Sequence, residues 1–100
     1  MPIDWKSHLN NILHVYKPIL QSKEVELKYI EELAFVIEDM LSKTEIHERV
    51  SRILNKYCIV LRKYSEIMKN SKSRHSSEFM EAHNYISEVL AGLEKLSLLV

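Results

Sequence analysis

The sequence predicts an all-α protein, a compact antiparallel four-helix bundle with up-and-down topology, and two observations support that prediction. The chain has one glycine in 100 residues, whereas the tight turns of β-hairpins depend on glycine. Apolar residues also recur in alternating steps of three and four along four separate segments, which is the spacing of one face of an α-helix. Four such stripes on one chain are typical of a helical bundle.

The size and composition of the chain fit one hydrophobic core. It has 46% hydrophobic and 28% charged residues, with 14 basic side chains balanced by 14 acidic ones, and this is unlike a disordered chain. A chain of this length is expected to form one domain, here residues 1–100. A three-helix bundle with a loosely attached first helix is the alternative architecture.

The first amphipathic segment contains a proline that limits its length. Its stripe consists of Trp5, Leu9, Ile12, Tyr16 and Ile19, with Leu13 and Leu20 beside it. Pro18 cannot donate a hydrogen bond to the carbonyl of His14, and it disfavours helical backbone at Lys17. We therefore expect the first helix to stop near Tyr16, with Pro18 opening the next helix. The alternative is a helix that bends at Pro18 and ends before Ser22.

The second and third segments are joined by a short polar stretch, Ser42–Lys43–Thr44, which predicts a tight connection. The second stripe consists of Leu27, Ile30, Ala34, Ile37 and Leu41, with Leu33 and Met40 on its flank. The third stripe consists of Ile46, Val50, Ile53, Tyr57, Val60, Tyr64 and Ile67, with Leu54, Leu61 and Met68 widening it. We expect the third helix over residues 45–70, with Thr44 as its N-cap and Glu45 in its first turn.

A polar stretch at residues 70–77 predicts the loop before the last helix, with Ser76 or Ser77 as the N-cap. The stripe of the last helix consists of Phe79, Ala82, Ile86, Val89, Leu93, Leu96 and Val100. Ile53 and Ile86 lie in the middle of their stripes, so both are expected to be core residues.

Charge is unevenly distributed, although the net charge is zero. Residues 44–75 carry eight basic and three acidic side chains, and Arg49, Lys56 and Lys63 recur every seven residues along one edge of the third stripe. Glu24, Glu31 and Glu38 have the same spacing on the second helix. We interpret these edges as flanking charge that solubilises the bundle and favours one helix arrangement. The alternative is a nucleic-acid-binding face on the third helix, against which the neutral net charge argues.

The sequence contains no recognisable catalytic or metal-binding motif. The five histidines do not form an H-x-x-x-H pair, and no Gly-rich phosphate loop, nucleophile elbow or Glu-x-x-His pair occurs. Cys58 is expected to pack as a small buried hydrophobic residue. We therefore expect no enzymatic activity, no cofactor and no bound metal.

One segment suggests an alternative function. Residues Glu45–Asn55, with the sequence EIHERVSRILN, resemble the phospho-acceptor helix of some sensor histidine kinases, in which a histidine is followed by Arg, Val and Leu at similar steps. The resemblance implies a histidine phosphotransfer or kinase-like dimerisation domain that uses His47. That chemistry needs an exposed histidine with a free imidazole lone pair and a neighbouring carboxylate, here Glu48, to hold its tautomer.

Two apolar residues lie outside the stripes of their helices and indicate an interaction surface. Phe35 lies off the stripe of the second helix, and Ile59 lies near the polar side of the third. The chain end adds the aliphatic residues Leu98 and Leu99. We expect all four to contact another protein or a second copy of the chain. The expected function is that of a non-enzymatic interaction module, either a small helical adaptor, a regulator or an assembly subunit.

The remaining features favour an intracellular setting. The longest apolar runs have five residues, at 33–37 and 57–61, which is too short to span a bilayer. The N-terminal residues lack the basic-then-apolar layout of a signal peptide, and a single cysteine cannot form an internal disulfide. We expect a cytoplasmic or nuclear protein without a membrane anchor.

Overall fold

The computed structural model describes residues 5–21, 27–71, 73 and 75–98. These residues form four helices and no strand: α1 (Trp5–Leu20), α2 (Leu27–Lys43), α3 (Glu48–Asn70) and α4 (Ser77–Ser97). The prediction of an all-α four-helix bundle is confirmed. Because α1 packs against both α2 and α4, the alternative of a loosely attached first helix is wrong.

The helices form a ring in chain order. Each helix packs against its two neighbours, α1 on α2 and α4, and α3 on α2 and α4, whereas the described residues of the diagonal pairs have no Cα atoms within 8 Å of each other. The α2/α3 pair is antiparallel, since Glu31 contacts Ser65 and the later Glu38 contacts the earlier Arg62. The bundle measures 47 × 22 × 20 Å.

The core lies along the axis of this ring and receives side chains from every helix. The fully buried large side chains include Leu9, Leu20, Ile30, Leu33, Ile37, Met40, Leu54, Leu61, Ile86, Leu90 and Leu93. The predicted stripes of α1, α2 and α4 supply most of the buried residues of those helices. Glu24, Leu99 and Val100 lie outside the described residues.

The core face of α3 differs from the prediction. Its buried residues are Leu54, Cys58, Leu61, Ser65 and Met68, whereas Ile53 is 40% exposed. The predicted stripe lies beside this line on the side towards α4, where Tyr64 stacks on Tyr85. Two adjacent lines on one helix obey the same spacing of three and four, so periodicity does not show which of them faces the axis.

The first helix also differs from the prediction, because it continues through Pro18 to Leu20. The amide of Gln21 still donates to the carbonyl of Lys17 at 3.0 Å, so Pro18 removes only the hydrogen bond to His14. Leu20 is 1% exposed, and burial of this side chain offsets the cost of the proline.

The ends of the helices correct two further predictions. Helix α2 includes Ser42 and Lys43, and the amide of Thr44 donates to the carbonyl of Met40 at 3.0 Å. Thr44 therefore closes α2 and does not cap α3. The N-cap of α3 is His47, whose Nδ1 accepts the amide of Arg49 at 3.2 Å, so Glu45 and Ile46 precede the helix.

The start of α4 follows the prediction. Ser76 is its N-cap, and the Ser76 hydroxyl accepts the amide of Phe79 at 3.2 Å. No helix in the described part of the chain is long and apolar enough to cross a membrane.

Candidate interaction surface

Phe35 lies on the outer side of α2, with 64% of its surface exposed. The residues three and four positions away on a helix are its surface neighbours. Around Phe35, all four of those neighbours are acidic: Glu31, Glu32, Glu38 and Asp39. An exposed aromatic ring therefore stands within a ring of carboxylates.

Ile59 occupies the equivalent place on α3, with 65% of its surface exposed. Its neighbours three and four positions away are one amide and three cations: Asn55, Lys56, Arg62 and Lys63. The surroundings of Ile59 thus have the opposite charge to those of Phe35.

Contacts between α2 and α3 place Phe35 and Ile59 side by side. Ala34 and Cys58, their immediate chain neighbours, meet in the interior, where the Cys58 thiol donates to the Ala34 carbonyl at 3.6 Å. Antiparallel helices joined at this point hold Phe35 and Ile59 at the same height to within about one helical turn. We call the surface formed by these two residues and their charged neighbours the α2/α3 outer face.

An ion pair crosses this face between the two helices. The Arg62 guanidinium donates from Nε to Glu38 Oε1 at 3.0 Å and from Nη2 to Glu38 Oε2 at 2.9 Å. These hydrogen bonds raise the pKa of Arg62 above its ordinary value. Both side chains are nearly half exposed, so the pair adds little stability, and its two-pronged geometry shows which turns of α2 and α3 lie side by side.

The other carboxylates around Phe35 are also held in place. Glu31 accepts from the Ser65 hydroxyl at 3.5 Å, and Asp39 pairs with Lys43 at 3.2 Å. Glu32 accepts from the Tyr16 hydroxyl at 2.5 Å. Burial, and then this hydrogen bond, raise the pKa of Tyr16 to about 12. Each carboxylate around Phe35 therefore already has a hydrogen-bond or ion-pair partner within the chain.

The basic residues singled out from the sequence are all exposed. Lys56 and Lys63 flank Ile59, and Lys63 Nζ lies 5.6 Å from the centre of the Tyr64 ring. Arg49 is also exposed, but it lies near the start of α3, about 15 Å along the helix from Ile59. The structure thus brings two of these three basic residues to the α2/α3 outer face.

Leu98 is 72% exposed but belongs to another side of the bundle. It follows Glu94 by one turn, and Glu94 pairs with Lys17 of α1 at 2.6 Å. Since this side of α4 faces α1 and α4 lies diagonally across the bundle from α2, Leu98 is not brought together with Phe35 and Ile59. Leu99 lies outside the described residues.

His47 does not have the geometry that the histidine kinase resemblance implies. Its Nδ1 lone pair accepts the amide of Arg49, so in the neutral ring Nε2 carries the proton. The Glu48 carboxylate pairs with Arg52 at 2.7 Å and has no hydrogen bond to the imidazole among the described contacts. The histidine serves as a helix cap in this arrangement.

Other chemistry is sparse in the described part of the chain. No three His, Cys, Asp or Glu side chains there lie close enough together to hold a metal ion. Cys58 is buried, and this burial, followed by the charge of Glu38, raises the pKa of its thiol to about 12. The thiol is therefore protonated at neutral pH and is a poor nucleophile.

Two features of the surfaces around α3 are not among the predictions from the sequence. The single glycine, Gly92, lets Tyr57 approach α4, since a Cβ at Gly92 would lie 2.4 Å from the Tyr57 hydroxyl. A lone glycine inside a helix was the available signal. The opposite charges around Phe35 and Ile59 were also missed, although counting three and four residues in each direction would have revealed them.

The comparisons with known proteins give no family for this chain. No protein family model matches it, and neither a curated protein nor a solved structure is significantly similar to it. The surface itself is therefore the basis for a functional proposal.

Proposed function

We propose that this chain is a protein–protein interaction module without a chemical step of its own, and that it binds through the α2/α3 outer face. The observation that supports the proposal is the pair of exposed apolar residues, Phe35 at 64% and Ile59 at 65% exposure, at the same height on adjacent helices. We place the module in the cytoplasm or nucleus as an adaptor, a regulator or an assembly subunit.

Isolated exposed apolar residues are common on protein surfaces, but this pair is distinguished by its surroundings. Each side chain stands among charged neighbours, acidic around Phe35 and basic around Ile59. Covering such a side chain contributes about 1.5–3 kcal/mol to a complex, and the flanking charges select the orientation of the partner. The face suits a helical partner with apolar residues between a basic and an acidic edge.

Cross-linking with matched variants tests this proposal. A photoreactive residue that replaces Lys28, an exposed position two turns before Phe35, should form a cross-link to one partner protein, and to the same one in repeated experiments. Phe35→Lys and Ile59→Asp should each abolish that product, because each places a charge against like charges of the partner, and should leave the melting temperature unchanged. Met80→Asp is the control, because Met80 is 56% exposed on α4 and lies about four turns before Glu94, on the side of that helix that faces α1.

Two results would refute the proposal. One is a cross-linked product that survives both variants, because binding would then not depend on this face. The other is unfolding of both variants, because Phe35 and Ile59 would then support the core and not a partner.

A further inference from the structure

The two halves of the α2/α3 outer face are complementary to each other. Phe35 stands among four carboxylates, and Ile59 stands among three cations and an amide. Glu38 and Arg62 already pair with each other across the face, and Asp39 pairs with Lys43. The charge offered to a partner therefore comes mainly from Glu31 and Glu32 on the α2 half and from Lys56 and Lys63 on the α3 half. An ideal partner for the α2 half is therefore an apolar side chain within a basic ring, and the α3 half of this same chain has that composition. The reverse holds for the α3 half.

From this complementarity we propose that the partner of the face is a second copy of the chain, related by a twofold axis parallel to the helices. The inference rests on the proposed function and identifies its partner. In this dimer Phe35 of one copy packs on Ile59 of the other, and the contact occurs twice.

The topology permits this dimer without any change in backbone. A twofold axis parallel to the helices keeps every residue at its own height and places α2 of one copy over α3 of the other. These helices are antiparallel, as α2 and α3 are within one chain. Because Phe35 and Ile59 lie at the same height, this rotation places Phe35 of each copy over Ile59 of the other copy. The acidic residues around Phe35 then face the basic residues around Ile59. A twofold interface must be self-complementary in this way.

The alternative twofold axis, perpendicular to the helices and in the plane of the interface, gives the opposite result. It places α2 over α2 and α3 over α3, so the carboxylates around Phe35 face their own copies. Like charges in contact oppose association, and the charge pattern therefore selects the parallel axis.

The size of the face sets the expected strength. Helix α2 has 17 residues, so the face is about 25 Å long and, with two helices side by side, about 20 Å wide. Its area of about 500 Å² is smaller than the standard interface of about 800 Å² per partner. We expect a dimer with a dissociation constant of about 1–100 µM at low salt, weakened about tenfold or more by high salt because the rings attract through charge.

Sedimentation velocity of the full chain tests the inference. The expected result is a concentration-dependent shift from monomer to dimer between about 5 and 500 µM, which recedes at high salt. Phe35→Lys alone and Ile59→Asp alone should each remain monomeric, with unchanged circular dichroism, because each new charge faces like charges of the other copy. The control Met80→Asp should dimerise like the parent chain.

Mixing the two monomeric variants is the decisive step. In a mixed dimer, Lys at position 35 of one chain meets Asp at position 59 of the other, and the second contact is the original Phe35–Ile59 pair. The mixture should therefore form a heterodimer at concentrations where each variant alone is monomeric, at least about tenfold more tightly than either self-association. An interface built on any other pairing does not predict this recovery.

Each other outcome overturns the inference in a distinguishable way. A parent chain that stays monomeric at every concentration excludes the second copy, while leaving the proposed function to the cross-linking result. A dimer that both variants leave intact places self-association on another surface. Variants that are monomeric alone and in the mixture refute the Phe35–Ile59 pairing.

Discussion

At the residue scale, small differences in the direction of an apolar side chain decide whether it is buried in this bundle. Leu61 is completely buried and Ile53 is 40% exposed, although both belong to apolar lines with helical spacing on α3. Ile59 points further out again, at 65% exposure. These three residues have similar hydrophobicity. Their direction on α3 alone therefore decides that Leu61 lies in the core, Ile53 at the edge of the core and Ile59 on the surface.

Alanine substitutions should reproduce this order. Leu61→Ala and Ile86→Ala, at 0% and 1% exposure, should each lower the free energy of unfolding by about 2–5 kcal/mol because each leaves a cavity. Ile53→Ala should cost about 1 kcal/mol or less, since part of that side chain already contacts water. Chemical denaturation measures all three, and an Ile53→Ala loss equal to that of Leu61→Ala would contradict the core assignment.

At the element scale, local signals placed the helices well and their ends less well. The Ser76 cap was among the alternatives predicted from sequence, whereas α3 is capped by His47 and α1 continues through Pro18. Histidine is an uncommon cap, and proline is a strong stop signal. In α1, tertiary packing outweighs the tendency of Pro18 to end the helix, because the extended helix buries Leu20.

The assignment of the α3 cap can be tested by exchange of side chains. His47→Ala should lower the free energy of unfolding by about 1 kcal/mol, because the amide of Arg49 loses its acceptor. His47→Asn should retain most of the stability, since asparagine also accepts this hydrogen bond. Thr44→Ala is the matched control and should cost less than about 0.5 kcal/mol. A larger loss for Thr44→Ala than for His47→Ala in thermal melts would show that the cap is misplaced.

At the scale of the whole molecule, charge separates by helix while the total remains zero. Part of the basic charge of α3 is used within the bundle: Arg62 pairs with Glu38, and Arg52 pairs with Glu48. The neutral total argues against a general attraction to polyanions, and the local separation provides attraction between specific faces.

Nucleic-acid binding should therefore be weak and non-specific. Since Arg49, Lys56 and Lys63 are exposed, some binding at low ionic strength is expected, and it should disappear at about 150 mM salt as counterion release loses its driving force. Fluorescence anisotropy with a labelled duplex measures this salt dependence. Tight binding that persists at that salt concentration would instead favour the phosphate-binding interpretation of α3.

Phe35, Ile59 and Leu98 show how much of the candidate site can be predicted from the sequence. Phe35 and Ile59 were found because each interrupts the polar side of a helix, and this deviation is visible in the spacing alone. Their common height was not visible, because it depends on the contact between Ala34 and Cys58, which are separated by 24 positions in the chain. Leu98 was selected by the same hydrophobic criterion, and only the packing of α4 beside α1 separates it from the other two.

The sequence by itself determined the all-α class, the number of helices and most core residues of α1, α2 and α4, because backbone hydrogen bonding and amphipathic spacing are local properties. The tertiary structure decided which line of α3 faces the axis, where α1 ends and which surface residues are neighbours. Those outcomes depend on side chains from several helices competing for one interior. The α2/α3 outer face arises at this second level, from two helices that are held together by their buried apolar residues and whose alignment is shown by the Ala34–Cys58 contact and the Glu38–Arg62 pair.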